Sequence, residues 1–81
     1  MQEGVEIRSV KVETVMMYAQ KRVLKINEEA KTLKELNRQY REAMEGLRAL
    51  KETGLMTFKE FQSFQRQAAA RYVVIGLELE K

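Results

Sequence analysis

Between Val12 and Thr53 the chain holds no proline and a single glycine, Gly46, so nothing in this stretch forces a helix to break. Apolar or small residues recur at Val12, Met16, Ala19, Val23, Ile26, Ala30 and Leu33, then Asn37, Tyr40, Met44 and Leu47, in alternating steps of four and three. That spacing holds one stripe on one side of a helix and forms the seam of a heptad repeat. It predicts one long helix over 13–53. At about 1.5 Å of rise per residue the rod would run roughly 60 Å, more than a compact domain of this chain length spans. The remaining residues are expected to arrange themselves along it.

Written as a coiled coil, the seam has Met16, Val23, Ala30, Asn37 and Met44 at a positions, and Val12, Ala19, Ile26, Leu33, Tyr40 and Leu47 at d positions. Asn37 has two readings. Buried at an a position, it penalises registers in which it lacks a matching partner and so favours a registered dimer; alternatively, the seam reaches solvent at that point. Alanine and methionine at several positions make the seam weaker than an Ile/Leu zipper. Leu36, Ala43 and Leu50 widen the apolar face toward the C-terminal end, so this half must pack against more than one neighbour.

The sharpest local signal is Thr53-Gly54-Leu55-Met56-Thr57. Gly54 suits the left-handed position that closes a helix, and Lys51 suits the negative end of its dipole. Thr57-Phe58-Lys59-Glu60 reads as a capping box, with Met56 and Phe61 placed as a hydrophobic staple. A second helix over 57–71 is predicted, antiparallel to the first because the connection is short, with Phe58, Phe61, Phe64, Ala68 and Tyr72 on its apolar face. Phenylalanines at that spacing are core rather than a base-stacking platform.

Both ends leave two options open. Residues 4–12 alternate apolar and charged side chains, as in Val5-Glu6-Ile7-Arg8, which suits a short strand; the alternation slips at Ser9, which would also cap a helix. Residues 72–80 are rich in β-formers, and Ile75, Leu77 and Leu79 alternate with Gly76, Glu78 and Glu80, so a second strand is the preferred expectation. The competing one continues the helix with Val74, Ile75 and Leu79 on its buried side. The fold class expected is therefore mainly α, an αα-hairpin with a coiled-coil-like dimer seam and possible short terminal strands, in one small domain over 1–81.

Eighty-one residues lie near the size at which a single core is only marginally stabilising, so help from a partner chain is expected. The chain has neither Cys nor His, which removes disulfides, thiolate zinc sites and the commonest general base. No nucleophile–base pair, carboxylate cluster, metal spacing or glycine-rich phosphate loop stands in their place, and neither catalysis nor a cofactor is expected. No apolar run approaches the length of a membrane span and the N-terminus does not resemble a signal peptide, so a cytoplasmic protein is expected. Fifteen basic and twelve acidic residues give a mild +3 charge. Lys31, Lys34, Arg38, Arg41 and Arg48 nevertheless line one flank of the helix. Glu28, Glu35, Glu42, Glu45 and Glu52 stand three or four residues away, so the expected state of this stripe is a solvated, ion-paired face.

The run from Leu47 to Phe61 resembles the SHOCT family of short helical hairpins, whose pattern is roughly Leu-x-x-Leu-x-x-x-Gly-Leu/Ile-Ile-Thr-x-x-Glu-Phe followed by a basic residue. Leu47, Leu50, Gly54, Leu55, Thr57, Glu60 and Phe61 fit it, Met56 replaces the usual isoleucine, and Arg66 supplies the base. The resemblance is confined to about 47–66. It implies a bacterial or phage-type element without catalytic residues, used for interaction or oligomerisation, with nucleic-acid binding sometimes proposed.

The function expected is a regulatory protein–protein interaction module that forms a homodimer through the long helix, or binds another protein there, with Val23, Ile26, Ala30, Leu33, Asn37 and Tyr40 as the interface. The alternative is a dimeric nucleic-acid-binding regulator in which Lys31, Lys34, Arg38, Arg41 and Arg48 track phosphates. No metal site or membrane partner is expected.

Overall fold

The computed structural model describes residues 2–80, with side chains from residue 13 onward. Within them the chain forms three helices, α1 (Gln2–Leu24), α2 (Leu33–Glu52) and α3 (Phe58–Glu80). Two expectations are corrected. The rod over 13–53 is interrupted at residues 25–32, and both segments read as possible strands, 4–12 and 72–80, are helical.

The interruption has a local cause and a tertiary one. Locally, α1 tightens at its end, where the N–H groups of Lys25 and Ile26 donate to the carbonyls of Arg22 and Val23 at 3.2 and 3.1 Å. Asn27 then competes with the helix for backbone groups. Its side-chain nitrogen donates to the carbonyls of Leu24 and Lys25, each at 3.3 Å, and its Oδ1 accepts from the N–H of Glu29 at 2.8 Å. A new helix start follows: Thr32 Oγ1 accepts from the N–H of Glu35 at 3.1 Å, and the Glu35 carboxylate accepts from the N–H of Lys31 at 2.7 Å. This is capping-box chemistry displaced by one residue.

The tertiary cause is burial. A straight rod would leave its seam in water, whereas folding back carries Val15, Ala19, Val23, Ile26 and Ala30 into a common core with α2 and α3. The loop is tied to both of those helices. Arg71 Nε donates to the Ile26 carbonyl at 2.7 Å, and the Asn27 N–H donates to Gln39 Oε1 at 3.1 Å.

The second connection follows the sequence closely. Gly54 has φ +80°, and the N–H groups of Leu55 and Met56 both return to the Leu50 carbonyl, at 3.0 and 3.2 Å. The capping box is reciprocal: Thr57 Oγ1 accepts from the Glu60 N–H at 3.2 Å, and Glu60 Oε1 accepts from the Thr57 N–H at 2.8 Å. Met56 and Phe61 are both buried, as a staple requires. Phe58 departs from the expected apolar face. It stands 61% exposed, with Lys51 Nζ 5.9 Å from its ring centroid.

Each helix touches the other two, and the molecule measures 56 × 19 × 15 Å. A helix of 23 residues is only about 35 Å long, so the three are staggered along the long axis. Between α2 and α3, Tyr72 donates its hydroxyl hydrogen to Asn37 Oδ1, and Leu36 lies over Gly76, where an added Cβ would meet Leu36 Cδ2 at 3.6 Å. These contacts fix an antiparallel hairpin and place Arg38 of α2 level with the centre of the last turns of α3. α1 returns antiparallel to α2, with its Arg22 side chain crossing Gly46 so closely that a Cβ there would sit 2.8 Å from Arg22 Nε.

α3 stays helical to Glu80 for reasons visible in its own core face. Phe61, Ala68 and Ile75 are buried at steps of seven, and Phe64, Tyr72 and Leu79 pack beside them. A strand over 72–80 would remove Ile75 and Leu79 from that face. It would also have no partner, since among the described residues no strand exists to pair with it.

Candidate interaction surfaces

The heptad stripe expected to face another chain lies mostly inside this one. Val23, Ile26 and Ala30 are 3%, 0% and 2% exposed and belong to the core that α1 makes with α2 and α3. Leu33, Asn37 and Tyr40 lie elsewhere. Leu33 is exposed at the start of α2, Asn37 is exposed and accepts from Tyr72, and Tyr40 is half-buried with its ring centroid 4.9 Å from that of Tyr72. The six residues therefore form no single surface, and the seam is intramolecular in this fold. Val12, its first position, lies outside the described side chains.

The basic stripe is present on the outside of α2. Lys31, Lys34, Arg38, Arg41 and Arg48 are all exposed. The expected ion pairing is absent among the described residues. Lys31 Nζ donates to the Glu28 carbonyl at 3.3 Å, Glu35 is engaged in capping, and no ion pair holds Lys34, Arg38, Arg41 or Arg48. The N-terminal half of this face is the more basic half: a shallow groove of about 400 Å³ is lined by Thr32, Lys34, Glu35, Arg38 and Arg41. Farther along, Glu45 and Glu52 interrupt the stripe.

α3 has a second apolar face, and it looks outward. Ala70, Val73, Val74 and Leu77 are exposed, the last three at 54%, 60% and 58%, on the side away from Ala68, Ile75 and Leu79. Their spacing of three, four and seven makes one continuous stripe. A cleft of about 620 Å³ between the 27–29 loop and Ala70, Arg71, Val74 and Ile75 borders it, with Glu28 and Glu29 on the rim. Arg66 and Glu80 flank the stripe two turns before and two turns after Val73; both are exposed, and neither has an ion-pair partner among the described residues.

No family model matches the chain, and neither a curated protein nor a solved structure matches it.

The outer stripe of α3 was accessible to sequence reasoning. Read with a period of two, Ile75, Leu77 and Leu79 share one face of a strand. Read with the helical period, Ile75 and Leu79 go inward as expected and Leu77 joins Val73 and Ala70 outside. Val74, expected on the buried side of a continued helix, is instead 60% exposed, because it lies about a quarter turn farther from Leu79 than Ile75 does and no helix covers it. The signal that selects the helix is the Ala68-Ala69-Ala70 run before it, which propagates helix well. Among the described residues no group of His, Cys, Asp and Glu side chains is placed to hold a metal ion, and no helix is long and apolar enough to cross a membrane.

Proposed function

We propose that this protein is a non-catalytic protein–protein interaction module that self-associates through the outer face of α3. The observation that carries the reading is that α3 is apolar on two opposite sides, only one of which its own chain covers. A helix apolar all round is normally buried.

The occupant is a second copy. Two α3 helices packed antiparallel about a two-fold axis near Val73 bring the apolar stripes together and set Arg66 of each against Glu80 of the other. The same patch then serves both subunits, as a two-fold interface requires. The charges flanking the stripe are opposite in sign, unpaired among the described residues and symmetrically spaced. A foreign partner needs no such self-complementarity. The resemblance of residues 47–66 to SHOCT hairpins points to the same class of role, and the reading moves the interface from the heptad seam to α3.

An interface confined to a few turns of one helix is small by the standards of stable complexes, so dissociation in the micromolar range is expected. The test is solution mass by light scattering from about 5 to 500 μM protein, a range that brackets such affinities, at low and high salt. Wild type should pass from monomer to dimer and keep the dimer at high salt. Leu77→Asp should stay monomeric with an unchanged circular dichroism spectrum, and Leu33→Asp should dimerise like wild type. A wild-type monomer at every concentration, or a Leu77→Asp dimer, removes the reading.

A further inference from the structure

We infer that pairing through α3 assembles a binding surface for duplex nucleic acid from the basic halves of two α2 helices. The inference rests on the self-association proposed above. Its new element is what the symmetry does to a face that one subunit presents only in part.

Because all three helices touch one another, α1 and α2 lie on opposite sides of the plane that runs outward through α3. A two-fold axis perpendicular to antiparallel α3 helices keeps each helix on its own side. Both α2 helices therefore emerge on one side of the dimer and both α1 helices on the other. The level along the axis is set by the hairpin: Tyr72 bonds to Asn37 and Gly76 lies under Leu36, so an axis near Val73 passes close to Arg38. Lys31, Lys34, Arg38 and Arg41 of the two subunits then gather around the axis, while Glu45 and Glu52 move to the outer ends. At helix spacings of about 9 Å the two α2 axes stand roughly 25 Å apart.

Two properties of the face select the ligand. Its cations are exposed and free of ion pairs among the described residues, so no internal pair is broken when phosphates are met. It also lacks a stacking platform, since Tyr40 is half-buried against Tyr72 and no other aromatic residue lies on α2. Single strands are held largely by stacking on aromatic rings, whereas a duplex offers about one phosphate charge per 1.7 Å of axis without it. A stiff, unstacked, doubled basic surface fits the duplex backbone and carries no base-reading group.

The experiment measures anisotropy of a fluorescein-labelled 30-base-pair DNA duplex of mixed sequence, titrated with full-length protein at several KCl concentrations, with solution mass recorded in parallel. Wild type should bind with an affinity that falls steeply with salt. Losing both arginines in Arg38→Glu/Arg41→Glu should weaken binding at least about tenfold and reduce the log–log salt slope by about 3 to 4, from ~0.9 per phosphate contact over two subunits. Leu77→Asp should show about half the wild-type slope. Lys21→Glu/Lys25→Glu makes the same change in net charge on the α1 side and should keep the wild-type slope.

Dimeric wild type that fails to bind the duplex overturns the inference and leaves self-association standing. Equal losses in the two double variants overturn it too, because net charge alone would then account for binding. Tighter binding to the matching single strand than to the duplex also overturns it. A wild type that is monomeric by mass removes both proposals.

Discussion

α2 and α3 pack against each other along most of their length, yet they distribute apolar residues differently. On α2 the apolar residues Leu36, Ala43, Met44 and Leu47 are buried, and the opposite side is charged, with Lys34, Arg38, Glu45 and Arg48 in water. That is the ordinary division of a helix at the surface of a bundle. On α3 the inner side is just as apolar, but over the last turns the outer side is apolar as well. The difference separates two kinds of requirement. Apart from Leu33 at its first turn, the intramolecular core covers the large apolar residues of α2, whereas it covers only one of the two apolar sides of α3.

Stability measurements can break that comparison. Leu47 is fully buried, and Leu47→Ala should cost about 2–5 kcal/mol in urea denaturation. Leu77→Ala removes the same atoms from the outer stripe and should change stability by less than about 0.5 kcal/mol when measured at low protein concentration. Comparable losses would mean that Leu77 belongs to the core and that α3 has no free face.

The two connections sharpen the contrast between the helices they join. Gly54 sits at φ +80° in open space, so Gly54→Ala should cost about 1–2 kcal/mol through backbone strain alone. Thr32→Ala and Thr57→Ala each remove a cap and should cost about 1 kcal/mol. If Thr32→Ala were without effect on the denaturation midpoint, the loop at residues 25–32 would be held by burial of Ile26 and Ala30 rather than by the start of α2. The smallest effect is expected on the charged face of α2: Arg38→Glu breaks no ion pair among the described residues, places a carboxylate within helical reach of Lys34 and Arg41, and should shift stability by less than about 0.5 kcal/mol.

Local chemistry was legible wherever short-range bonds decide the conformation. Gly54, the Thr57–Glu60 box and the Met56–Phe61 staple stand where the spacing placed them, because their partners lie within a few residues. The same motif in Thr32-Leu33-Lys34-Glu35 was hidden beneath the heptad pattern that runs through it. The heptad stripe is covered in two separate stretches, Ala19, Val23, Ile26 and Ala30 on one side of the break and Met44 and Leu47 on the other, while Leu33 and Asn37 between them are exposed. Its meaning was not legible: a periodic apolar face specifies that it must be covered, without saying whether the cover is another chain or a fold in its own.

The sequence by itself determined helices, the hairpin turn and the apolar positions, because each follows from periodicity or from bonds to near neighbours. Tertiary packing decided between options the sequence left open, namely that the rod breaks at residues 25–32 where Asn27 and the Thr32 cap permit it and that α3 continues to Glu80. It also decided which apolar residues remain outside. Those outcomes depend on which distant surfaces meet, and the hydrophobic effect that brings them together is blind to direction and to chain position. The geometry of the folded bundle, with α1 and α2 already occupying the inner side of α3, is what leaves Val73, Val74 and Leu77 exposed.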